Sequence, residues 1–381
     1  MTRIDASGRR HPGKPRAPAR GVLPGRGSVR RVRGMNFTAC PSTDPTPLFE
    51  LFRGNHATEL LVAAVAHFGV FARLEAGPVS AAGLRAELGL SERAANVLFT
   101  ALRAMGTLVL DPEHRLSLTP LAREHLLPGG AFFMGDYCGL AAESPGVLGL
   151  VERLRTSRPA GAEAEESGAA FIYREAIESA MEREASARHL TLALAGRAKN
   201  VAPWLARNFP LPDAGHLLDL GGGTGVYALA LLQANPGLRA TVVDRPEVLK
   251  VAAEFAAAAG VGDRLALVPG DMFTASLPPA DVVLLSNILH DWDVPECRRL
   301  VQRAAAVLPP GGRLLIHDVF LDDDLGGPLP IALYSAALFS LTEGRAYSAA
   351  EYRGWLREAG LIPGEVVPTL VHCGVLAGTK P

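Results

Sequence analysis

Apolar and polar positions change period twice along this chain, and each change marks a different kind of structure. From Phe49 to Leu74 apolar residues recur at helical spacing, and the segment closes on Phe68-Gly69-Val70-Phe71. Val79 to Met105 reads as helix, turn and helix, with Ser91 as the N-cap of a second helix over Arg93 to Met105. Leu108 to Leu118, folded around Asp111-Pro112-Glu113-His114, reads as a two-stranded hairpin, which completes a winged-helix pattern. A longer helix is predicted over Leu190 to Asn208. Beyond it the period alternates. Short buried strands are predicted at His216–Leu220, Arg239–Asp244, Arg264–Val268, Asp281–Leu285 and Gly312–His317, with helices from Val226 to Gln233 and from Pro246 to Gly260 between them. Pro at a helix start and Gly at its stop fit the second of these. Strands alternating with helices predict a doubly wound parallel sheet, so the expected class is α/β with a helical domain in front.

Chemistry gathers at the ends of those strands. Asp219-Leu220-Gly221-Gly222-Gly223-Thr224-Gly225 places a carboxylate and four glycines at a strand-to-helix turn. Such glycines admit positive φ and let a ligand approach the main chain closely. The spacing is not G-x-G-x-x-G, and a carboxylate just before the turn suits a cationic amino group better than a pyrophosphate. Both departures point from a dinucleotide towards S-adenosylmethionine (SAM). Asp244 ends the next strand, about 20 residues on, where nucleotide folds place an acid on ribose hydroxyls. Gly270-Asp271-Met272-Phe273 follows the third strand, with an acid and two apolar side chains for an adenine. One acid at a strand end is commonly a cap or a solvated loop residue; three at successive ends form a Rossmann-like cofactor site.

The fourth strand leads into Ser286-Asn287-Ile288-Leu289-His290-Asp291-Trp292-Asp293. Reactive crevices in open α/β sheets lie beyond the carboxyl ends of the strands, which puts His290 beside the cofactor. Asp293 and Glu296 have capping-box spacing for the next helix.

Together D-L-G-G-G-T-G, V-V-D-R-P, G-D-M-F and L-H-D-W-D resemble the SAM-dependent O-methyltransferases of the plant caffeic acid and bacterial hydroxyneurosporene and polyketide-tailoring type. The resemblance runs from about residue 50 to the C-terminus. It implies a cofactor site of Asp219, Gly221, Gly223, Gly225, Asp244, Arg245, Asp271, Met272, Phe273 and Ser286. It also implies His290 as general base, oriented by Asp318 on the fifth strand, where the family usually has Glu. Two family features are missing: a second Glu, replaced by Ala346, and a Lys four residues before the His, replaced by Ser286. Phe133, Met134, Tyr137, Asn287, Tyr334 and Phe339 lie in segments that line the acceptor site in this family, which suits an aromatic or polycyclic hydroxyl compound. The helical segment is, by the same resemblance, a homodimerisation domain. No metal is needed, because the sulfonium already activates the methyl group and alignment does the rest.

Charge settles two further points. The first 34 residues hold ten Lys/Arg against one acid, with many Gly and Pro, and cannot bury enough surface to fold. The expected domains are therefore a tail at 1–36, a helical dimerisation domain at 37–190 and the cofactor domain at 191–381. Upstream sequence translated ahead of a true start at Met35 is the favoured reading of the tail; an address and an RNA-binding arm are its rivals. The remaining body carries 28 basic and 38 acidic side chains, which argues against a general nucleic-acid binder. The second helix of the winged pattern offers only Arg93 and Arg103 as strong cations, too few to track phosphates. Cys40, Cys138, Cys297 and Cys373 are far apart, which fits a reducing cytoplasm and gives no zinc spacing. No apolar run has the length and purity of a membrane span, and Thr156–Ala170 reads as a polar linker. Two other function classes stay open: a SAM-binding relative that hydroxylates or decarboxylates, and a winged-helix regulator that senses SAM.

Overall fold

The computed structural model describes residues 34–158 and 184–381. Nearly all of the expected tail, and the expected linker beyond Arg158, lie outside the described residues. Gly34 and Met35 donate their N–H groups to the Ala258 carbonyl, and Gln233 holds both Met35 O and Phe37 N–H. Phe37 is buried and stacks on Phe255. The packed body thus reaches back to Gly34, ahead of the expected boundary at residue 36.

The apolar run at Phe49–Leu74 forms several short pieces where one helix was expected. They are α1 (Thr46–Arg53), a 3₁₀ turn, α2 (Ala57–Val62), a π turn at Ala63–His67 and α3 (Val70–Arg73). Gly69, at a φ of +56°, makes the last break, a conformation that costs glycine no steric penalty. Next come β1 (Val79–Ser80), α4 (Ala81–Leu88) and α5 (Glu92–Ala104). Ser80 and Ser91 cap the two helices by accepting the Gly83 and Ala94 N–H groups. The hairpin of β2 (Leu108–Leu110) and β3 (Arg115–Leu118) gains β1 as a third, unexpected strand on β3. Helices α6 (Pro120–His125), α7 (Gly135–Gly139) and α8 (Pro145–Thr156) close this half around Leu60, Phe71, Leu84, Leu98, Leu102 and Leu154.

Helix α9 (Glu184–Asn208) leads into the sheet half, starting earlier than expected. The sheet half then runs β4 (His216–Leu220), α10 (Val226–Ala234), β5 (Arg239–Asp244), α11 (Pro246–Ala259), β6 (Leu265–Pro269), β7 (Val282–Ser286), α12 (Val294–Ala306) and β8 (Arg313–Leu321). It ends with α13 (Leu329–Leu341), β9 (Tyr347–Ser348), α14 (Ala349–Glu358), β10 (Ile362–Pro368) and β11 (Cys373–Thr379). The strand order is β6-β5-β4-β7-β8-β11-β10, parallel from β6 to β8 and antiparallel across β11 and β10. The chain steps outward from β4 to β6, then crosses back to β7. In open sheets of this kind ligands bind at such a reversal, beyond the carboxyl ends of the strands, here those of β4 and β7.

Helix α13 belongs to both halves. It is apolar nearly all round, as a helix buried on every side must be. Ile331, Ala332 and Leu338 pack into the core under the sheet, while Leu333, Ala336 and Phe339 pack with the N-terminal helices. Among the described residues, no helix is long and apolar enough to cross a membrane.

Candidate active site

The glycine turn after β4 wraps a carboxylate. Asp219 is fully buried, and neither of its oxygens has a hydrogen-bond partner. Burial, with Asp244 adding repulsion, pushes its pKa up to about 7. A Cβ at Gly222 would lie 2.6 Å from Asp219 Oδ2, so only glycine lets the turn close over that acid. Gly221, Gly223 and Gly225 all adopt positive φ. Gly223 donates its N–H to Asp244 Oδ2 at 2.8 Å, and Arg245, the N-cap residue of α11, donates its own N–H to Oδ1. Those two bonds fix Asp244 against the glycine turn. Burial raises the Asp244 pKa too, against the pull of those two N–H groups.

The other expected cofactor residues fall into distinct settings. Asp271 is exposed and accepts the Phe273 N–H at 2.6 Å. Met272 and Ile288 lie over Gly221. Phe273 is buried, edge-on to Trp292 with ring centroids 4.7 Å apart. Ser286 ends β7 and bonds His317 Nδ1 at 2.8 Å. A buried, orphaned carboxylate beside an open glycine turn fits the cationic amino end of SAM, and Asp244 fits a ribose diol.

His290 sits on the 3₁₀ turn after β7, buried at the reversal in strand order. Its Nδ1 meets Asp318 Oδ1 at 2.5 Å. Asp318 lies within β8, which runs past the expected end at His317 to Leu321. The Val319 N–H also donates to Oδ1, at 2.8 Å, and the Tyr352 hydroxyl to Oδ2, at 3.2 Å. Burial alone would raise the Asp318 pKa, yet His290 and the Val319 N–H more than offset it and hold the group below its ordinary value. An ionised Asp318 only accepts, so Nδ1 of His290 carries the proton between them, and in the neutral ring the lone pair then falls on Nε2. Asp291 Oδ1 stands 3.6 Å from Nε2, its pKa pushed up to about 6 by burial despite the opposing pull of His290.

The expected acceptor residues do not share one setting. The Tyr334 ring stands edge-on to His290 at 5.9 Å. Asn287 is buried at a φ of +57°, with Nδ2 on Tyr227 and Ser286 and Oδ1 free of partners. Phe133 is half-buried, Met134 and Tyr137 are exposed, and Phe339 sits in the helical core beneath the Arg93 guanidinium. Asp293 caps α12 through the Val294 N–H. Ser348 and Glu351 form a reciprocal capping box at the start of α14.

Four contributors were given no role from the sequence. Tyr352 braces Asp318 from α14. Gly344 presses on the His290 turn, where a Cβ would lie 2.1 Å from His290 O. Arg53 and Arg197 both reach Tyr334, the first stacked on its ring 4.2 Å from the centroid and the second donating to its hydroxyl at 3.0 Å. Gly344 lies in the segment that resembles the family's G-x-E-R-T stretch, though without a role assigned to it; the other three belong to no local pattern, and only the fold brings them here.

The order of the strands and the acid-walled glycine turn define a SAM-dependent methyltransferase with a Rossmann-like sheet. Within that class the chain belongs to the O-methyltransferase domain family, whose model matches residues 169–362, and SAM is its methyl donor. It is 36% identical over 341 residues to the 3-hydroxy-5-methyl-1-naphthoate 3-O-methyltransferase of Streptomyces sahachiroi, covering 88% of this chain and 95% of that one. The tetracenomycin polyketide synthesis 8-O-methyl transferase of Streptomyces glaucescens is 30% identical over 319 residues, which is 83% of this chain and 91% of that protein. An O-methyltransferase family 2 protein from Planctomyces limnophilus, solved in complex with apigenin, is 49% identical. It superposes with a TM-score of 0.83 over 92% of this chain and 100% of its own.

Proposed function

We propose that the enzyme methylates the hydroxyl of an aromatic or polycyclic metabolite, with His290 as the base. The observation that carries this reading is the buried Nδ1–Oδ1 contact of 2.5 Å between His290 and Asp318 at the strand reversal. SAM supplies a methyl group already activated by its sulfonium. Asp219 would hold its amino group and Asp244 its ribose, with Met272 against the adenine. His290 Nε2 accepts the hydroxyl proton, and Asp318 stabilises the imidazolium that results, the orienting role an acid plays in hydrolase triads. Asp291 adds a second carboxylate beside that charge. Tyr334, Asn287, Phe133 and Met134 are the acceptor-facing residues in this reading. The similar proteins named above support an aromatic acceptor, since one acts on a hydroxynaphthoate and another binds apigenin. Incubation with methyl-labelled SAM and a panel of phenols and polycyclic hydroxyl compounds tests it. Label should enter at least one acceptor as a methyl ether; label in none would reject the proposal.

Asp244→Ala should weaken SAM binding by about 1–3 kcal/mol, the range for losing a buried hydrogen-bond partner. Calorimetric affinity equal to wild type would remove Asp244 from the cofactor site.

The helical half is read as a winged-helix-like dimerisation module. Its helix α1 is inverted: Arg53 is 3% exposed, whereas Leu48, Leu51 and Phe52 are 71–81% exposed. An apolar face of that kind calls for a cover, and a second copy supplies it. DNA reading is disfavoured because Arg93 and Arg103 are engaged inside the fold, with Thr342 O and Asp324 respectively. Light scattering at micromolar concentration should return twice the chain mass. An active monomer would count against the module. The four cysteines, all unpaired, support a reducing cytoplasmic setting.

A further inference from the structure

Helix α12 starts just beyond the turn that carries His290, and two of its arginines hold the loop that follows β6. Arg303, half-buried, donates Nε to the Met272 carbonyl at 3.0 Å and Nη2 to the Ala275 carbonyl. Arg299 donates Nη2 to the Phe273 carbonyl at 3.0 Å, with its guanidinium 5.5 Å from the centroid of the Phe273 ring. The N–H side of the same loop closes from within. Asp271 accepts the Phe273 N–H on its side chain and the Thr274 and Ala275 N–H groups on its carbonyl. β6 is the edge strand of the sheet, and its ladder with β5 ends at Pro269, followed by one bond from the Gly270 N–H to the Asp244 carbonyl at 2.9 Å. A loop that has left its sheet must be ordered, and ordering it only when a ligand arrives costs affinity. Arginine supplies that order in advance. Its Nε and Nη2 form one rigid, planar edge that reaches the carbonyls of residues 272 and 275 together, which the point charge of an ammonium does not fix. The partners are main-chain carbonyls, so the bonds set the backbone under Met272 directly. Met272 Cε in turn reaches the glycine turn, 3.2 Å from where a Cβ on Gly221 would stand.

We propose that Arg303, assisted by Arg299, is a positioning residue for the methyl donor: it presets the loop from Asp271 to Ala275 in the shape that receives the adenine of SAM. This role rests on the placement of Met272 against the adenine given above, and adds the device that keeps that side chain ready. The arginines act through the loop and take no part in methyl transfer. Phe273, whose carbonyl Arg299 holds, stands edge-on to Trp292, in the segment between His290 and α12. One helix therefore ties the loop under the adenine to the turn that carries the base.

Calorimetric titration with S-adenosylhomocysteine, together with amide hydrogen exchange, tests the role without needing an acceptor. Arg303→Gln should weaken binding about 10-fold, as for a loop that holds its bound shape in roughly a tenth of ligand-free molecules. In that variant the amides of Phe273, Thr274 and Ala275 should exchange faster than in wild type, those of β4 and β5 should not, and saturating S-adenosylhomocysteine should restore the slow rates. Arg303→Lys should recover part of the affinity. Arg299→Gln, a surface change that removes one bond, should lose about 3-fold in the same direction. Met272→Ala should bind more weakly while its loop amides stay slow. Wild-type affinity in Arg303→Gln beside a weakened Met272→Ala overturns the role of the arginine and leaves Met272 at the adenine. Faster exchange across the whole sheet in both arginine variants overturns it too, because the guanidinium groups then support only the fold. Wild-type affinity in Met272→Ala takes Met272 away from the adenine, and the positioning role falls with it.

Discussion

Replacing His290 with alanine is expected to cut turnover by about 10²–10⁴ at pH 7, the usual worth of a positioned base, with SAM affinity close to wild type. The tautomer argument sets the expectation. Asp318 already accepts from the Val319 N–H and the Tyr352 hydroxyl, so the His290 Nδ1 proton is its third donor and Nε2 is left basic. Asp318→Asn should lower turnover in the same direction but less, since proximity and Nε2 survive while the imidazolium loses its carboxylate. With a phenol acceptor the His290→Ala deficit should shrink as pH approaches about 10, where the phenol ionises unaided. Steady-state rates of both variants across that range check the point. Wild-type turnover by His290→Ala at pH 7 would leave alignment as the whole of catalysis.

Asp219→Asn is expected to weaken SAM binding by roughly 10–100-fold, the loss of one charged hydrogen-bond partner, and yet to stabilise the ligand-free protein. The carboxylate is buried without a partner, and its pKa of about 7 lies above the ordinary value. Below about pH 4 both folded and unfolded chains hold the proton, so the group is neutral to stability. Between about pH 4 and 7 the folded chain keeps a proton that the unfolded chain has lost, and stability falls as pH rises through that window. At pH 8 the penalty is fully present, on the order of a few kcal/mol. Urea unfolding at pH 5 and pH 8 should therefore show a wild type that weakens with pH and a variant that changes less. Unchanged affinity together with unchanged stability would mean that Asp219 is neither strained nor used.

Much of this was legible because local chemistry punctuates the chain. Glycine and proline bracket α10 and α11, and alternation of strands and helices predicted β4 and β5 to the residue. The glycine turn and the acids that flank it are contiguous motifs, so a single window of sequence contains them. The His290–Asp318 pairing came through family resemblance, since 28 residues separate the two and no spacing rule joins them. The breaks in Phe49–Leu74 were hidden because apolar spacing persists across a 3₁₀ and a π turn. Arg53 and Arg197 were invisible for a related reason. A cation at a helix end reads as solvated, and the contact of Arg197 with Tyr334 closes over 137 residues.

Helix α13 has a consequence for anyone recombining this scaffold. Residue 190 looks like the natural cut between the halves, but a piece taken from there onward would bare Leu333, Ala336 and Phe339, the side of α13 that the N-terminal helices cover. A transplanted N-terminal half would meanwhile arrive with a slot where those three side chains belong. Tyr334 rides on the same helix, between Arg197 and His290. The unit of exchange for altering acceptor choice is therefore discontinuous in sequence: the helical half together with residues 329–341, moved as one graft.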